Sequence, residues 1–298
     1  MAESYSQIKN VAVSGSIHKT GFANAASELI TTLRKHGVSV YVESKVYNFL
    51  KKNVPDVLTE CSELEEKKLL GMDLVLSLGG DGTFLKTSQF VGALEIPILG
   101  INLGHLGFLV DISGDEISSA IETVLAEGFI TERRSLLQMQ PVGECTDPGK
   151  CTALNEIAVL KTDSSSMIKV HAYVNGEFLC TYRADGLIVS TPTGSTAYAM
   201  SVGASILDPE SQDIILAPVS PHTLNQRPII IPDDKQIELE IEGRSSNCIV
   251  SLDGRSYRCP VGSKISIRKA PFSTLVAWRK GHTYFQTLRG KLLWGQVQ

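Results

Sequence analysis

A chain of 298 residues, 43% hydrophobic and 20% charged, can bury a core in each of two domains, and this ordinary composition excludes a disordered or fibrous protein. A formal net charge of −4 without a basic stripe gives no place to nucleic acid as a partner. No apolar run reaches the roughly 20 residues of a spanning helix, and MAESYSQIKN lacks the basic and apolar regions of a signal peptide, so the expectation is a cytoplasmic protein with no membrane partner.

In chain order, IKNVAVSG (8–15) predicts a strand and FANAASELITTLRKHG (22–37) a helix stopped by Gly37. VSVYVE (38–43), DLVLSL (73–78) and IPILGINL (96–103) predict three further strands. DEISSAIETVLAEG (115–128) predicts a helix with Ile117, Ile121 and Val124 on one face and Gly128 at its end. Short aliphatic strands alternating with helices mean a parallel sheet covered by helices, an α/β domain.

From about Phe129 the period changes. SMIKVHAYVNGEFLCTYRADGLIVST (166–191) alternates around Asn175-Gly176, a tight-hairpin signal, and Asp253-Gly254 marks a second. KQIELEIEG (235–243) and SKISIRKA (263–270) also predict strands, whereas TLVAWRKGHTYFQTLRGKLLWG (274–295) leaves the pattern and is expected to return to the first domain. The expected organisation is an α/β domain over 1–131 plus about 271–298, and an all-β, sandwich-like domain over 132–270. Six cysteines, at 61, 145, 151, 180, 248 and 259, form no C-x-x-C pair and are expected to be reduced thiols without a metal.

Open parallel sheets bind ligands beyond the carboxyl ends of their strands. Gly79-Gly80-Asp81-Gly82-Thr83 falls there, directly after DLVLSL, and glycines let backbone N–H groups approach phosphate oxygens. A capped strand-to-helix turn is the plainer reading of the same five residues. GSIHKTG (15–21) lacks the G-K-[ST] of a P-loop, and no G-x-G-x-x-G follows the first strand. A second glycine cluster, GINLGHLGF (100–108), suggests a second loop at the same sheet edge. In the β half, Asn155-Glu156 interrupts the apolar run ALNEIAVL, and RADGLIVSTPTGSTAY (183–198) sets a carboxylate before a buried strand and a hydroxyl-rich turn after it.

GGDGT, the Asn-Glu pair and DGLIVSTPTGSTAY, in this order and spacing, resemble the NAD kinase family, and SPHTLNQRP (220–228) and Asp253-Gly254-Arg255 fit the same pattern. The resemblance implies an α/β domain of Rossmann-like type followed by an all-β domain, and transfer of the γ-phosphoryl of ATP, or in some members of polyphosphate, to the 2′-hydroxyl of the adenosine ribose of NAD. Mg²⁺ or another divalent ion would accompany ATP, with metal ligands not identifiable from the sequence. It implies that Asp81 accepts the proton of that hydroxyl, with Gly82 as a backbone contact and Lys86 near the pyrophosphate. Asn155 and Glu156 would hold the ribose, Phe108 would pack near the adenine, and Thr196, Ala197, Tyr198 and Ser201 would line the base pockets. Asp185, with Arg183, would reach the nicotinamide end. Arg255 stands where related members often carry glutamine, and it could meet a phosphate or solvent. Homodimers or homotetramers with NAD sites completed by a neighbouring subunit are also implied. GGDGT taken alone leaves open a lipid kinase of the diacylglycerol or sphingosine type, and a nucleotide-binding regulator without catalysis is a further alternative.

Overall fold

The structure, a computed structural model, describes residues 4–5, 8–64, 69–104, 107–110, 112–147, 150–162 and 166–294. His105 and Leu106 of the second glycine cluster, and Pro148 and Gly149 of the loop between Cys145 and Cys151, lie outside the described residues. The chain divides into two compact units, Met1–Arg133 with Thr274–Gln298, and Arg134–Ser273.

The first unit is built on parallel strands β1 (Asn10–Gly15), β2 (Ser39–Glu43), β3 (Ser62–Leu64), β4 (Leu74–Gly79) and β5 (Ile98–Asn102), in the order β3-β2-β1-β4-β5. All positions of β4 and β5 are buried, as expected of parallel strands covered on both faces. Helix α1 (Phe22–Lys35) buries Phe22, Ala25, Ala26, Leu29, Ile30 and Leu33, the stripe that a 3.6-residue period aims at the sheet, and Gly37 follows it at φ 74°. The other helices of this part are α2 (Ser44–Asn53), α3 (Asp81–Val91) and α4 (Ile117–Glu127). The strand order reverses between β1 and β4, so the loops after these two strands leave for opposite faces and part at the carboxyl edge.

Strand β6 (Phe129–Met139) leads out of this unit. The second unit pairs β8 (Ile168–Val174) with β9 (Glu177–Ala184) and β13 (Ile237–Glu242) in one antiparallel sheet. Its other sheet runs in the order β12 (Ile229–Pro232), β11 (Asp213–Val219), β10 (Gly186–Ser190), β7 (Glu156–Lys161), β14 (Asn247–Leu252), β15 (Arg255–Pro260). Apolar side chains of both, among them Val159, Val170, Val189, Leu216, Leu239 and Val250, form one core. Asn175-Gly176 and Asp253-Gly254 have φ values of 50° and 80°, and 48° and 80°, the positive pair that a two-residue primed turn requires.

Strand β16 (Lys264–Arg279) departs from the expected break at Thr274. Its first half alternates beside β13, with Ile265 and Ile267 buried, whereas Leu275 to Trp278 are buried without alternation, and Val276 and Ala277 pair in parallel with Ile98 and Leu99. The chain thus changes period by changing neighbours within one strand, and no turn is needed. Helix α5 (Tyr284–Leu292) follows behind a Thr283/Gln286 capping box. A second departure concerns the thiols. Cys145 and Cys151 form a disulfide, their Cα atoms 6.4 Å apart, against the expectation of reduced cysteines. Both are buried, and a Val142–Cys145 bridge folds this short segment back on itself, a local approach that chain length alone does not reveal.

Leu76 is fully buried in the middle of β4. Leu76→Ala should cost about 2–5 kcal/mol in urea unfolding, the range for a core cavity.

Candidate functional site

At the carboxyl edge of the first unit, β4 passes through Gly79 and Gly80 into α3, whose first residue is Asp81. The Asp81 carboxylate accepts the backbone N–H of Phe108 at 2.8 Å and of Leu109 at 3.1 Å. Leu103 N–H donates to Gly79 O at 3.0 Å, and the Asn102 side-chain amide donates to Gly104 O at 2.9 Å. The two glycine clusters are therefore adjacent loops of one edge, tied together through Asp81. A carboxylate offers about four lone-pair sites, so two bonds leave room for a donor from a ligand.

The glycines here divide by cause. A Cβ on Gly79, at φ 159°, would strike the Thr83 side chain, and one on Gly107 would strike the Asp81 carboxylate. Gly82 is exposed in the first turn of α3, with open space where a Cβ would stand, and Gly80 is nearly as free. The fold needs the first pair. It gives no reason for the second, which leaves room for a group approaching the backbone beside Asp81. Lys86 is exposed on α3, and Phe108 is half-buried with its N–H on Asp81.

In the second unit two segments converge on Leu154–Glu156. The Asp253 carboxylate accepts the N–H groups of Leu154, Asn155 and Glu156 at 2.7, 2.8 and 3.2 Å. On the carbonyl side, Thr191 N–H donates to Asn155 O at 2.9 Å, and Thr191 Oγ1 donates to Leu154 O at 2.6 Å. Gly194 lies so close to Asn155 O that a Cβ there would overlap it. Most hydroxyls of TPTGSTAY are spent inside the protein: Thr191 on Leu154 O, Thr196 on Thr193 O, Ser195 with Leu207, while Ser190 just before it bonds Asn155 O and Thr191 O. Ala197 is half-buried, Tyr198 is 36% exposed, and Ser201 is exposed with its hydroxyl on Tyr198 O.

Glu156 is 9% exposed, and its Oε2 has no hydrogen-bond partner in the protein. Burial, with the Asp253 carboxylate next in weight, pushes its carboxyl up to about 7, against the pull of a main-chain bond from Tyr198. A buried acceptor lacking a donor is costly to keep, and a ligand hydroxyl would relieve that cost.

Arg183 and Asp185 stand elsewhere in the unit. Asp185 pairs with Lys161 Nζ at 2.6 Å and precedes β10, whereas Glu156 lies opposite Ser190 at the other end of that strand, roughly 17 Å away at strand rise. Arg183 lines a cavity of about 800 Å³ with Lys169, His222 and Arg244. Arg255 donates to Lys150 O at 2.7 Å and to Thr152 O, so its guanidinium braces the chain just before Asn155. Sequence reasoning missed the parts played by Asp253, Thr191 and Asn102. Asp253 was legible as a turn residue and as part of the family pattern, but not as the holder of this segment, because its partners lie nearly 100 positions away.

A carboxylate among open glycines where a parallel strand gives way to a helix, and a sandwich holding a buried carboxyl with one oxygen left without a donor, define a two-unit nucleotide-binding protein. Comparison with known proteins gives the particular family. Residues 11–129 match the model of the ATP-NAD kinase N-terminal domain, and residues 154–277 that of the ATP-NAD kinase C-terminal domain. The NAD kinase of Bacteroides fragilis is 44% identical over 287 residues, 95% of this chain and 97% of that one. That of Porphyromonas gingivalis is 40% identical over 97% of this chain and 99% of its own. Among solved structures, yeast NADH kinase complexed with NADH has a TM-score of 0.87 at 24% identity, over 98% of this chain and 89% of its own, a likeness of fold. An Archaeoglobus fulgidus NAD kinase in complex with ATP gives 0.74 at 27% identity, over 95% of this chain and 98% of its own. The chain belongs to the NAD kinase family.

The raised Glu156 carboxyl carries a stability signature. The folded state holds this proton up to about pH 7 while the unfolded chain releases it near 4.5, so this group makes stability fall as pH rises through that window. Thermal melts from pH 5 to 8 should show Glu156→Gln removing that part of the decline.

Proposed function

We propose that this protein phosphorylates NAD, transferring the γ-phosphoryl of ATP to the 2′-hydroxyl of the adenosine ribose and releasing NADP and ADP. The observation that carries this reading is the buried, unpartnered Glu156 Oε2 beside Asn155, in a chain that belongs to the NAD kinase family. A ribose hydroxyl is the kind of donor that this oxygen lacks. In this reading Asn155 and Glu156 hold the ribose, and the main chain from Thr196 to Tyr198, with Ser201, lines the base pockets. Phe108 packs near the adenine, and Lys86 faces the pyrophosphate. Arg183 and Asp185, set apart from Glu156, serve the nicotinamide end, and Arg255 acts as a brace for the ribose-holding segment.

The reacting hydroxyl oxygen attacks the γ-phosphorus as the bond to the ADP oxygen breaks, and Asp81 takes the proton. The open positions at Gly80 and Gly82 support a close approach of substrate to the backbone at that carboxylate. Among the described residues no three of His, Cys, Asp or Glu are grouped to hold a metal ion. A divalent ion, Mg²⁺ in this reading, would accompany ATP and neutralise the charge of its phosphates. No helix among the described residues is long and apolar enough to cross a membrane. We place the enzyme in the cytoplasm as a homodimer or homotetramer. Membership of the NAD kinase family in both units removes the ground for the lipid-kinase alternative.

Purified protein with NAD, ATP and Mg²⁺ should form NADP, read through an NADP-specific dehydrogenase, and 2′-deoxy-NAD should give none. Asp81→Asn should lower kcat by about 10²-fold or more with its circular dichroism unchanged. Activity of that variant within about threefold of wild type would remove Asp81 as the proton acceptor. No turnover together with tight NAD binding would favour the non-catalytic alternative.

Gly82→Ala separates stability from function. A Cβ there meets nothing and suits a helix, so the variant should be as stable as wild type or more stable, by up to about 1 kcal/mol. The same methyl should obstruct the substrate and raise its KM several-fold, which steady-state kinetics beside urea unfolding will show.

A further inference from the structure

Asp253 occupies the first central position of the β14–β15 hairpin, where φ is 48°. That conformation alone accounts for Asp, Asn or Gly. It does not account for three successive amides gathered on one side chain, at 2.7, 2.8 and 3.2 Å. Only a carboxylate is all acceptor. An asparagine in the same pose would turn an NH₂ group toward at least one of those N–H donors. The hairpin closes the grip from its own backbone, since Asp253 N–H donates to Glu156 O at 3.1 Å. Arg255, two residues on, holds the carbonyls of Lys150 and Thr152.

We propose that Asp253 is a positioning residue for the acceptor nucleoside: its carboxylate fixes the Leu154–Glu156 main chain so that the Asn155 and Glu156 side chains meet the ribose in one orientation. This role rests on the reading of Asn155 and Glu156 as the ribose holders. Thr191 supplies the opposing hold on the Leu154 and Asn155 carbonyls. The segment is thereby saturated along its backbone, and Glu156 Oε2 is kept dry and unpartnered.

Asp253 acts on Glu156 electrically as well. Charged groups on the elements around Glu156 include Asp253, Arg255 and Arg258 on the hairpin, and Glu132, Arg133 and Arg134 on β6, where Arg134 Nη1 reaches Thr193 of the turn. Tyr198 adds a main-chain N–H, and Ser190 of β10 faces Glu156 across the ladder. Of these, Asp253 is the neighbour that holds the Glu156 proton on. A ribose hydroxyl donates best to the ionised carboxylate, so NAD should bind more tightly as pH rises through Glu156's titration.

The test uses the full-length protein and three variants, with NAD affinity measured by calorimetry from pH 5.5 to 8.5 and steady-state kinetics in both substrates. Asp253→Asn keeps a residue suited to the turn, and Asp253→Gly keeps the turn without any side chain. Both should raise the KM for NAD by about tenfold, the worth of one to two lost hydrogen bonds, and leave the KM for ATP and the kcat at saturation within about threefold. In Asp253→Asn the midpoint of the pH dependence of NAD affinity should move to lower pH, which a merely structural role would not cause. An unchanged KM for NAD and an unmoved midpoint in both variants would overturn the proposal, as would equal losses for NAD and ATP in step with a lowered Tm. Glu156→Gln separates the two readings. If it weakens NAD and abolishes the pH dependence while the Asp253 variants behave as wild type, only Asp253's role falls. If it leaves NAD affinity and its pH dependence intact, the ribose reading fails and the proposal goes with it.

Discussion

Three backbone amides on one carboxylate are the constraint on which the sandwich unit's chemistry depends. Leu154 and Asn155 lie between the short strand Thr152–Ala153 and β7, outside both ladders, so strand pairing does not hold them. Asp253 takes the N–H groups of Leu154–Glu156 and Thr191 the carbonyls of Leu154 and Asn155, which leaves the main chain no alternative register. Glu156 can then be buried with Oε2 lacking a donor, a state that a looser backbone would escape by turning the side chain to water. The close approach of Gly194 and the internal hydroxyl bonds of TPTGSTAY serve the same end, and the turn is as much a clamp as a pocket lining.

The first unit solves a related problem with different means. There the carboxylate, Asp81, is placed by a helix start and by two amides of the neighbouring loop, and the crowding at Gly79 and Gly107 shows how tightly these parts fit. Gly80 and Gly82 stand in the same motif under no such pressure. One five-residue loop therefore contains both residues required by folding and residues that folding leaves unexplained. That contrast locates function more sharply than the motif as a whole.

Periodicity made the architecture legible. Continuous aliphatic runs such as LVLSLG mean burial on both faces, and alternation about Asn175-Gly176 means one face buried, so the change near Phe129 is visible in the sequence. The residues of the candidate site were legible through their joint spacing, since GGDGT, the Asn-Glu pair and TPTGSTAY each have a plain structural reading alone. The continuity of β16 through Thr274 was hidden, because the first neighbour of that strand is antiparallel and the second parallel. The Cys145–Cys151 bond and the reach of Asp253 were hidden as well. Both depend on which distant or looped segments come together, and a one-dimensional pattern does not carry that.

Strand β16 also bears on how the chain is made. Val276 and Ala277 belong to the first unit and pair with Ile98 and Leu99, yet the whole of Arg134–Ser273 must be synthesised between them. At a ribosomal rate of about 5–20 residues per second, that part of the β5 edge waits unpaired for roughly ten seconds or more. For that interval only the Ile101–Asn102 end of that edge is paired, with Ile112 and Ser113, and the Ile98–Leu99 end stays open, the kind of surface that seeks strands from other chains. The enzyme's last parallel strand is thus also its latest to arrive.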